Sequence, residues 1–243
     1  MIIIPMAGLS SRFFKAGYTQ PKYMLKSHGK TLFDHSVESF KYYFKTEKFL
    51  FIIRDVYETY DFVLERIKAL GIVDYHITIL EGETRGQAET VALGLADMEY
   101  DGTITIFNID TFRPDFRFPD VAFKGKGYLE VFKGEGENWS FAKPLNNNSQ
   151  RVSETAEKRP ISDLCSTGLY HFLSVKDYHY CYSKYCDLPT TSWEKGELYI
   201  APLYNILIKA GLEINYNLIA RSDVVFCGTP DEFDAFEVDG YNQ

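Results

Sequence analysis

The small-residue run Ala7-Gly8-Leu9-Ser10-Ser11-Arg12 follows the apolar stretch Ile2–Met6, and Pro21-Lys22 stands nine residues beyond Arg12. A turn with little Cβ bulk lets backbone N–H groups approach a polyphosphate. Arg12 would add a planar fork of donors for the phosphate oxygens, and Lys22 a point charge suited to an α-phosphate. By composition alone, an ordinary strand-to-loop turn with two surface cations accounts for the segment equally well. Neither GxxxxGK(S/T) nor GxGxxG occurs in the chain, which removes the P-loop ATPase and dinucleotide dehydrogenase readings. Asp110 is the next candidate. It ends the apolar run Ile104–Ile109, where packing does not call for a carboxylate. A hard oxygen ligand there suits Mg²⁺ bridging a triphosphate, the alternative being an Asx-type cap for Thr111.

Such residues need a scaffold, and hydrophobic periodicity supplies one. Strand-like runs at Ile2–Met6, Phe49–Ile53, Tyr75–Leu80 and Thr103–Asn108 alternate with helical patterns at Thr31–Phe44, Tyr57–Leu70 and Gln87–Leu95. Alternation of this kind predicts βαβ units on a parallel sheet, whose ligands bind beyond the carboxyl ends of the strands. The segments after Met6, Leu80 and Asn108 are those ends. Beyond Phe112 the pattern changes to short strands at Lys126–Lys133, Trp139–Lys143, Arg151–Ala156 and Ser166–Leu173. Helices are expected at Ser174–Tyr185 and Glu197–Ala210, short strands near Ile214–Leu218 and Val224–Phe226, and a last helix after Pro230. No Pro- or Gly-rich linker divides the chain, so a single domain over 1–243 is expected, with a nucleotide-binding half (1–112) and an acceptor-binding half (113–243).

Met6-Ala-Gly-Leu-Ser-Ser-Arg12 with Pro21-Lys22 resembles the AAGxGxR…PK signature of the sugar-phosphate nucleotidyltransferase superfamily, Ser10 standing at its second glycine. Further segments resemble the family in its order: Thr84-Arg85-Gly86-Gln87-Ala88, Asn108-Ile109-Asp110, Glu157-Lys158, Ser166–Tyr170, Glu197–Pro202 and Gly228-Thr-Pro-Asp231. The resemblance spans nearly the whole chain. It implies a three-layer Rossmann-like α/β fold of the nucleotide-diphospho-sugar transferase type, with a mixed, mainly parallel sheet flanked by helices and a small β-rich acceptor subdomain. It implies Mg²⁺-dependent transfer of a nucleotidyl group to a phosphorylated small molecule with loss of pyrophosphate. The short N-terminal half and compact turn look most like the CTP-dependent cytidylyltransferases. In these terms Arg12 and Lys22 are catalytic, while Ala7, Gly8, Ser10, Ser11 and Gln87 bind the nucleotide. Asp110 holds the metal, and Lys158, Glu197 and Tyr199 bind the acceptor. The amide of Gln87 can pair with a base edge, although a plain helix start explains Gln87, and likewise Glu197. The family commonly completes its metal site with an aspartate two residues before the closing Gly-Thr. Here that position is Phe226, which leaves Asp223 as the nearest candidate ligand, or a surface loop carboxylate. Asp231, Glu232 and Asp234 are expected to complement the dipole of the last helix.

Composition sets the limits. The chain has 243 residues, 26 Lys+Arg against 34 Asp+Glu, a net charge of −8, and 45% hydrophobic residues. A globular domain follows, and a general nucleic-acid binder, which needs a cationic face, does not. No apolar run approaches the roughly 20 residues of a membrane helix, and no basic leader precedes Ile2, so a cytoplasmic protein without membrane partners is expected. Four cysteines form no CxxC pair, and five histidines show no HxH or HExxH spacing. The tyrosine-dense stretch Tyr170–Tyr185 suggests a homodimer face.

Overall fold

The computed structural model describes residues 1–241. In chain order the elements are β1 (Ile2–Pro5), α1 (Ser11–Lys15), β2 (Lys26–Ser27), β3 (Lys30–Thr31), α2 (Leu32–Val37), β4 (Lys48–Ile53), α3 (Thr59–Leu70), β5 (Asp74–Ile79), α4 (Gln87–Ala96), β6 (Ile104–Phe107) and β7 (Thr111–Phe112). They continue with β8 (Gly127–Lys133), β9 (Ser140–Pro144), β10 (Val152–Glu157), β11 (Leu164–Phe172), α5 (Val175–Cys186), α6 (Tyr204–Lys209), β12 (Ile214–Ile219), β13 (Val225–Phe226) and α7 (Pro230–Asp239). Two compact units interleave along the chain. A first unit gathers 2–82, 107–117 and the segment from Ser222 onward; a second gathers Met1, 83–106 and 118–221. The boundary drawn at residue 112 from the sequence falls inside the short middle segment of the first unit.

In the first unit β1, β4 and β5 run parallel, with Ile2 opposite Phe49 and Lys48 opposite Asp74. Phe49–Ile53 is buried throughout, as a continuous apolar run requires of a strand covered on both faces. A capping box starts α2: Asp34 N donates to Thr31 Oγ1 and Thr31 N donates to Asp34 Oδ2. The single helix expected over Thr31–Phe44 is broken after Val37. The chain tightens to a 3-10 turn, and Phe40 leaves helical dihedrals (φ −101°, ψ 21°) to bury its ring against Phe107 and Phe116. A separate core joins Phe13, Leu25 and Leu32 to Phe112, Val225, Cys227 and the α7 residues Phe233 and Phe236. β13 lies antiparallel to β7 in this unit.

In the second unit β8, β9, β10 and β11 form antiparallel pairs, β12 lies parallel to β8, and β6 adjoins β11. Tyrosines fill this unit's interior. Tyr178 donates to Ala88 O at 2.5 Å, and Tyr204 stacks on Phe172 at 4.5 Å between centroids while donating to Tyr128 O and His171 O. Within the stretch read as a partner face, Tyr170, Tyr178 and Tyr185 are buried among the unit's own residues, whereas Tyr180 is half exposed. Burial drives the His171 pKa down to about 4. The helix expected from Glu197 begins only at Ala201, as a 3-10 turn leading into α6. Glu197 itself is extended (φ −123°, ψ 158°), so it is not a helix start. Among the described residues, no helix is long and apolar enough to cross a membrane.

Candidate active site

The chain leaves β1 through Met6–Ser10 and turns into α1. Ser10 occupies the left-handed region (φ 52°, ψ 31°), the conformation for which glycine is suited and which costs another L-residue roughly 1–2 kcal/mol. Its hydroxyl gains a bond that glycine lacks, accepting from Lys22 N at 3.1 Å and tying the turn to Pro21-Lys22. A Cβ on Gly8 would meet no atom within 4 Å. Gly8, Ser11 and Arg12 are exposed, and Ala7 and Ser10 are half-buried. Small residues thus line open space beside the guanidinium-bearing helix.

Lys22 Nζ and Asp110 Oδ2 are 2.5 Å apart, although 88 residues separate them. Asp110 reaches this position because β6 ends just before it and β7 begins just after it. Cys227 N donates to Asp110 O at 2.8 Å, continuing the β7–β13 pairing by one residue. The next residue, Gly228, passes so near that a Cβ there would lie 3.1 Å from Asp110 Oδ2 and 3.4 Å from Glu232 Oε2. Glu232 is the capping-box residue of α7, accepting from Gly228 N at 2.8 Å and Thr229 N at 3.0 Å. The first-turn role expected of it holds, and the cap also brings a second carboxylate beside Asp110. Burial first, then these two carboxylates, push the Cys227 thiol well up, so it is an inert packing residue.

Asp223 is not brought to Asp110. The β13 register places Phe226 opposite Thr111 and Val225 opposite Phe112. That register runs away from Asp110 toward Arg113 and Pro114, and the Arg113 guanidinium donates to Asp223 O at 3.4 Å. Three residues lie between Asp223 and Cys227, the strand Val225–Phe226 among them, and four extended steps span roughly 13 Å at 3.3 Å per residue. The bulge or shift needed to bring Asp223 to Asp110 is absent. Mg²⁺ is commonly held by one or two carboxylates plus substrate phosphates. Asp110, a hard donor with its side chain a quarter exposed, fits that habit. No cluster of three or more His, Cys, Asp or Glu side chains able to hold a metal occurs among the described residues.

The remaining candidates lie in the second unit. Gln87 opens α4, directly after Gly86. Lys158 sits in a left-handed conformation (φ 52°) just past β10 and donates to Tyr199 Oη at 2.6 Å, its ammonium 4.8 Å from that ring's centroid. Beside it the Glu157 carboxylate is buried, which raises its pKa, while Ser140 Oγ donates to it. Glu197 is exposed and Tyr199 half-buried. Between them Leu198 is fully buried and spends both backbone groups on the Gln87 segment. Its N–H donates to Arg85 O, and its C=O accepts from Ala88 N, each at 2.8 Å.

Two sets of sequence-selected residues are therefore assembled, one in each unit: Ser10, Lys22 and Asp110 in the first, Lys158 and Tyr199 in the second. A solved nucleoside-diphosphate-sugar pyrophosphorylase from Vibrio cholerae RC9 matches with a TM-score of 0.95 and 61% identity, covering 98% of this chain and 100% of its own. The chain belongs to the nucleoside-diphosphate-sugar pyrophosphorylase family. It is a nucleotidyltransferase, and its mixed, mainly parallel α/β fold is the Rossmann-like one that the sequence led us to expect. A putative glucose-1-phosphate thymidylyltransferase from Bacillus anthracis shares that fold at 18% identity (TM-score 0.75, covering 100% of this chain and 95% of its own). The inositol-1-phosphate CTP transferase from T. maritima shares it at 14% identity (TM-score 0.73, covering 95% and 89%). No family model and no curated protein matches the chain.

Sequence reasoning missed three parts of this nucleotidyltransferase. Glu232 was legible as a cap but not as Asp110's neighbour. Trp193, under the Arg85 guanidinium at 5.4 Å, follows no periodic signal. In the sequence Gly86 is one residue of the Thr84–Ala88 motif, with no sign of its conformation. Its φ of +144° and the packing of Leu198 show why the position is glycine.

Proposed function

We propose that this nucleotidyltransferase moves a cytidylyl group from CTP to a phosphorylated small molecule, releasing pyrophosphate. The observation that carries the transfer chemistry is the Lys22–Asp110 contact beside the Ser10 turn. Arg12 and Lys22 supply cationic donors for the triphosphate, Ala7, Gly8, Ser10 and Ser11 line its path, and Gln87 meets the base. Lys158, with Glu197 and Tyr199, holds the acceptor's phosphate. An acceptor oxygen attacks the α-phosphorus in line while pyrophosphate departs opposite, a reaction in which the protein's task is to position two polyanions and offset their repulsion. No protein nucleophile is needed. Mg²⁺ held by Asp110 would neutralise charge on the phosphates.

The acceptor we favour is phosphoglutamine, because the segments quoted above look most like the CTP:phosphoglutamine cytidylyltransferase of capsule phosphoramidate biosynthesis. A non-sugar acceptor would account for the aromatic-rich acceptor half and the Phe226 departure. A sugar 1-phosphate, with CTP, UTP or dTTP as donor, is the second reading, favoured by the likeness to the Vibrio cholerae nucleoside-diphosphate-sugar pyrophosphorylase. Pyrophosphate release, measured for each nucleoside triphosphate against phosphoglutamine and a panel of sugar 1-phosphates, tests both. Release that requires CTP and phosphoglutamine is the expected result. Release only with a sugar 1-phosphate selects the second reading, and tight CTP binding without release under any condition marks a binding subunit and overturns both.

A further inference from the structure

Gly86 does more than start a helix. At φ +144° its Cα faces the Leu198 backbone so closely that a Cβ would lie 2.5 Å from Leu198 O, 2.6 Å from Leu198 N and 2.8 Å from Leu198 C. Real Cβ atoms do not approach backbone this way, so any side chain would push the two segments apart. The contact is closed by the two backbone bonds, Leu198 N to Arg85 O and Ala88 N to Leu198 O. These bonds bracket Gly86 and Gln87 on one side and sit between Glu197 and Tyr199 on the other. Neither Glu83–Gly86 nor Glu197–Ile200 lies in a helix or strand, so the cross-bonds do the ordering that regular structure does elsewhere. Arg85 reinforces the junction, its guanidinium pairing with Glu89 and lying over Trp193.

We propose that Gly86 is a positioning residue that couples the two substrates: by letting the Gln87 and Glu197–Tyr199 segments bond backbone to backbone, it makes occupancy of either one order the other. Two segments outside helices and strands that share their bonds share the entropy cost of being held still, and whichever ligand binds first bears it for both. Coupling of this kind is reciprocal, commonly 5-fold or more, and disappears when the shared bonds do. This inference rests on Gln87 serving the base and Glu197 and Tyr199 the acceptor.

The test uses α,β-methylene CTP, which cannot release pyrophosphate, with phosphoglutamine and glucose 1-phosphate as acceptor probes. Calorimetry on the full chain with Mg²⁺ present should show at least one acceptor probe tightening the nucleotide analogue about 5-fold or more. In Gly86→Ala the factor should fall below about 2, whatever the affinity of each ligand alone. A glycine needed only for folding would weaken both ligands and leave their ratio of affinities unchanged. A second measurement needs no variant. In the wild type the acceptor probe alone should slow amide exchange at Ala88, and the nucleotide analogue alone should slow it at Leu198. The proposal is overturned by a wild type that binds both probes independently, by a wild-type coupling factor in Gly86→Ala, or by protection confined to each ligand's own segment. A wild type that binds neither probe overturns the substrate assignment itself, and with it the coupling.

Discussion

Lys22 and Lys158 are both lysines assigned to phosphate, yet the two units hold them by different chemistry. Lys22 meets a carboxylate at 2.5 Å, and Lys158 a phenol at 2.6 Å. An ammonium bonded to Asp110 has its charge largely answered within the protein, so an incoming phosphate must compete for it or recruit a cation to Asp110. The Lys158 ammonium bonds to a phenol instead, with the Glu157 carboxylate acting on it through space, and so keeps more of its charge for a ligand. The framing differs as well. The first site is closed by side chains, through Ser10 Oγ on Lys22 N and Glu232 on the Gly228 and Thr229 amides, whereas the second is closed by backbone, through Leu198. Side-chain closures can be removed one atom at a time by substitution. Backbone closures yield only to a change of conformation.

This contrast predicts graded effects. Lys22→Ala should lower kcat about 10²–10³-fold, the range seen when one preorganised electrostatic group is lost, with KM for CTP changed only a few-fold; steady-state kinetics giving near wild-type turnover would remove Lys22 from the chemistry. The next effect is on stability and separates neither substrate. His171 in the second unit has its pKa lowered to about 4 by burial, against about 6.5 in an unfolded chain. Its neutral form therefore stabilises the fold fully above pH 6.5, and that contribution fades as the pH falls toward 4, by up to about 3 kcal/mol. Urea unfolding at pH 7, 5 and 4 measures it, and His171→Gln should flatten the profile. Lys158→Ala should raise the acceptor KM about 10-fold, one lost charge-assisted hydrogen bond, and leave the CTP KM unchanged. Equal increases in both would erase the distinction between the two lysines. Smallest is Ser10→Gly, which relieves a left-handed serine but loses the bond to Lys22 N; a stability change under about 1 kcal/mol is expected, read by thermal unfolding.

Much of the scaffold was legible because hydrophobic runs report burial directly. β1, β4, β5 and β6 lie within a residue of the apolar runs that suggested them, and α7 starts at Pro230 behind its Thr229 cap. What failed was whatever long-range contact decides. The apolar spacing in Glu197–Ala210 suits a helix, but its first residues are drawn straight by Arg85 and Ala88, more than a hundred positions earlier. Helix α2 stops early because Phe40 finds a pocket between Phe107 and Phe116. Asp223 was a reasonable second carboxylate by count along the chain, and the β7–β13 register put Cys227 beside Asp110 instead. Spacing along a chain does not fix register between strands as far apart in sequence as β7 and β13.

Synthesis of the chain runs in one direction, which gives the interleaving a temporal meaning. Phe13, Leu25 and Leu32 leave the ribosome early, but the partners that cover them, Phe233 and Phe236, come from the last helix. Everything the second unit needs has been made once residue 221 is in place. The residues of the second unit are thus all linked before those of β13 and α7, for which the segment carrying Lys22 waits. Folding that starts at the front of a nascent chain would here be completed from the back.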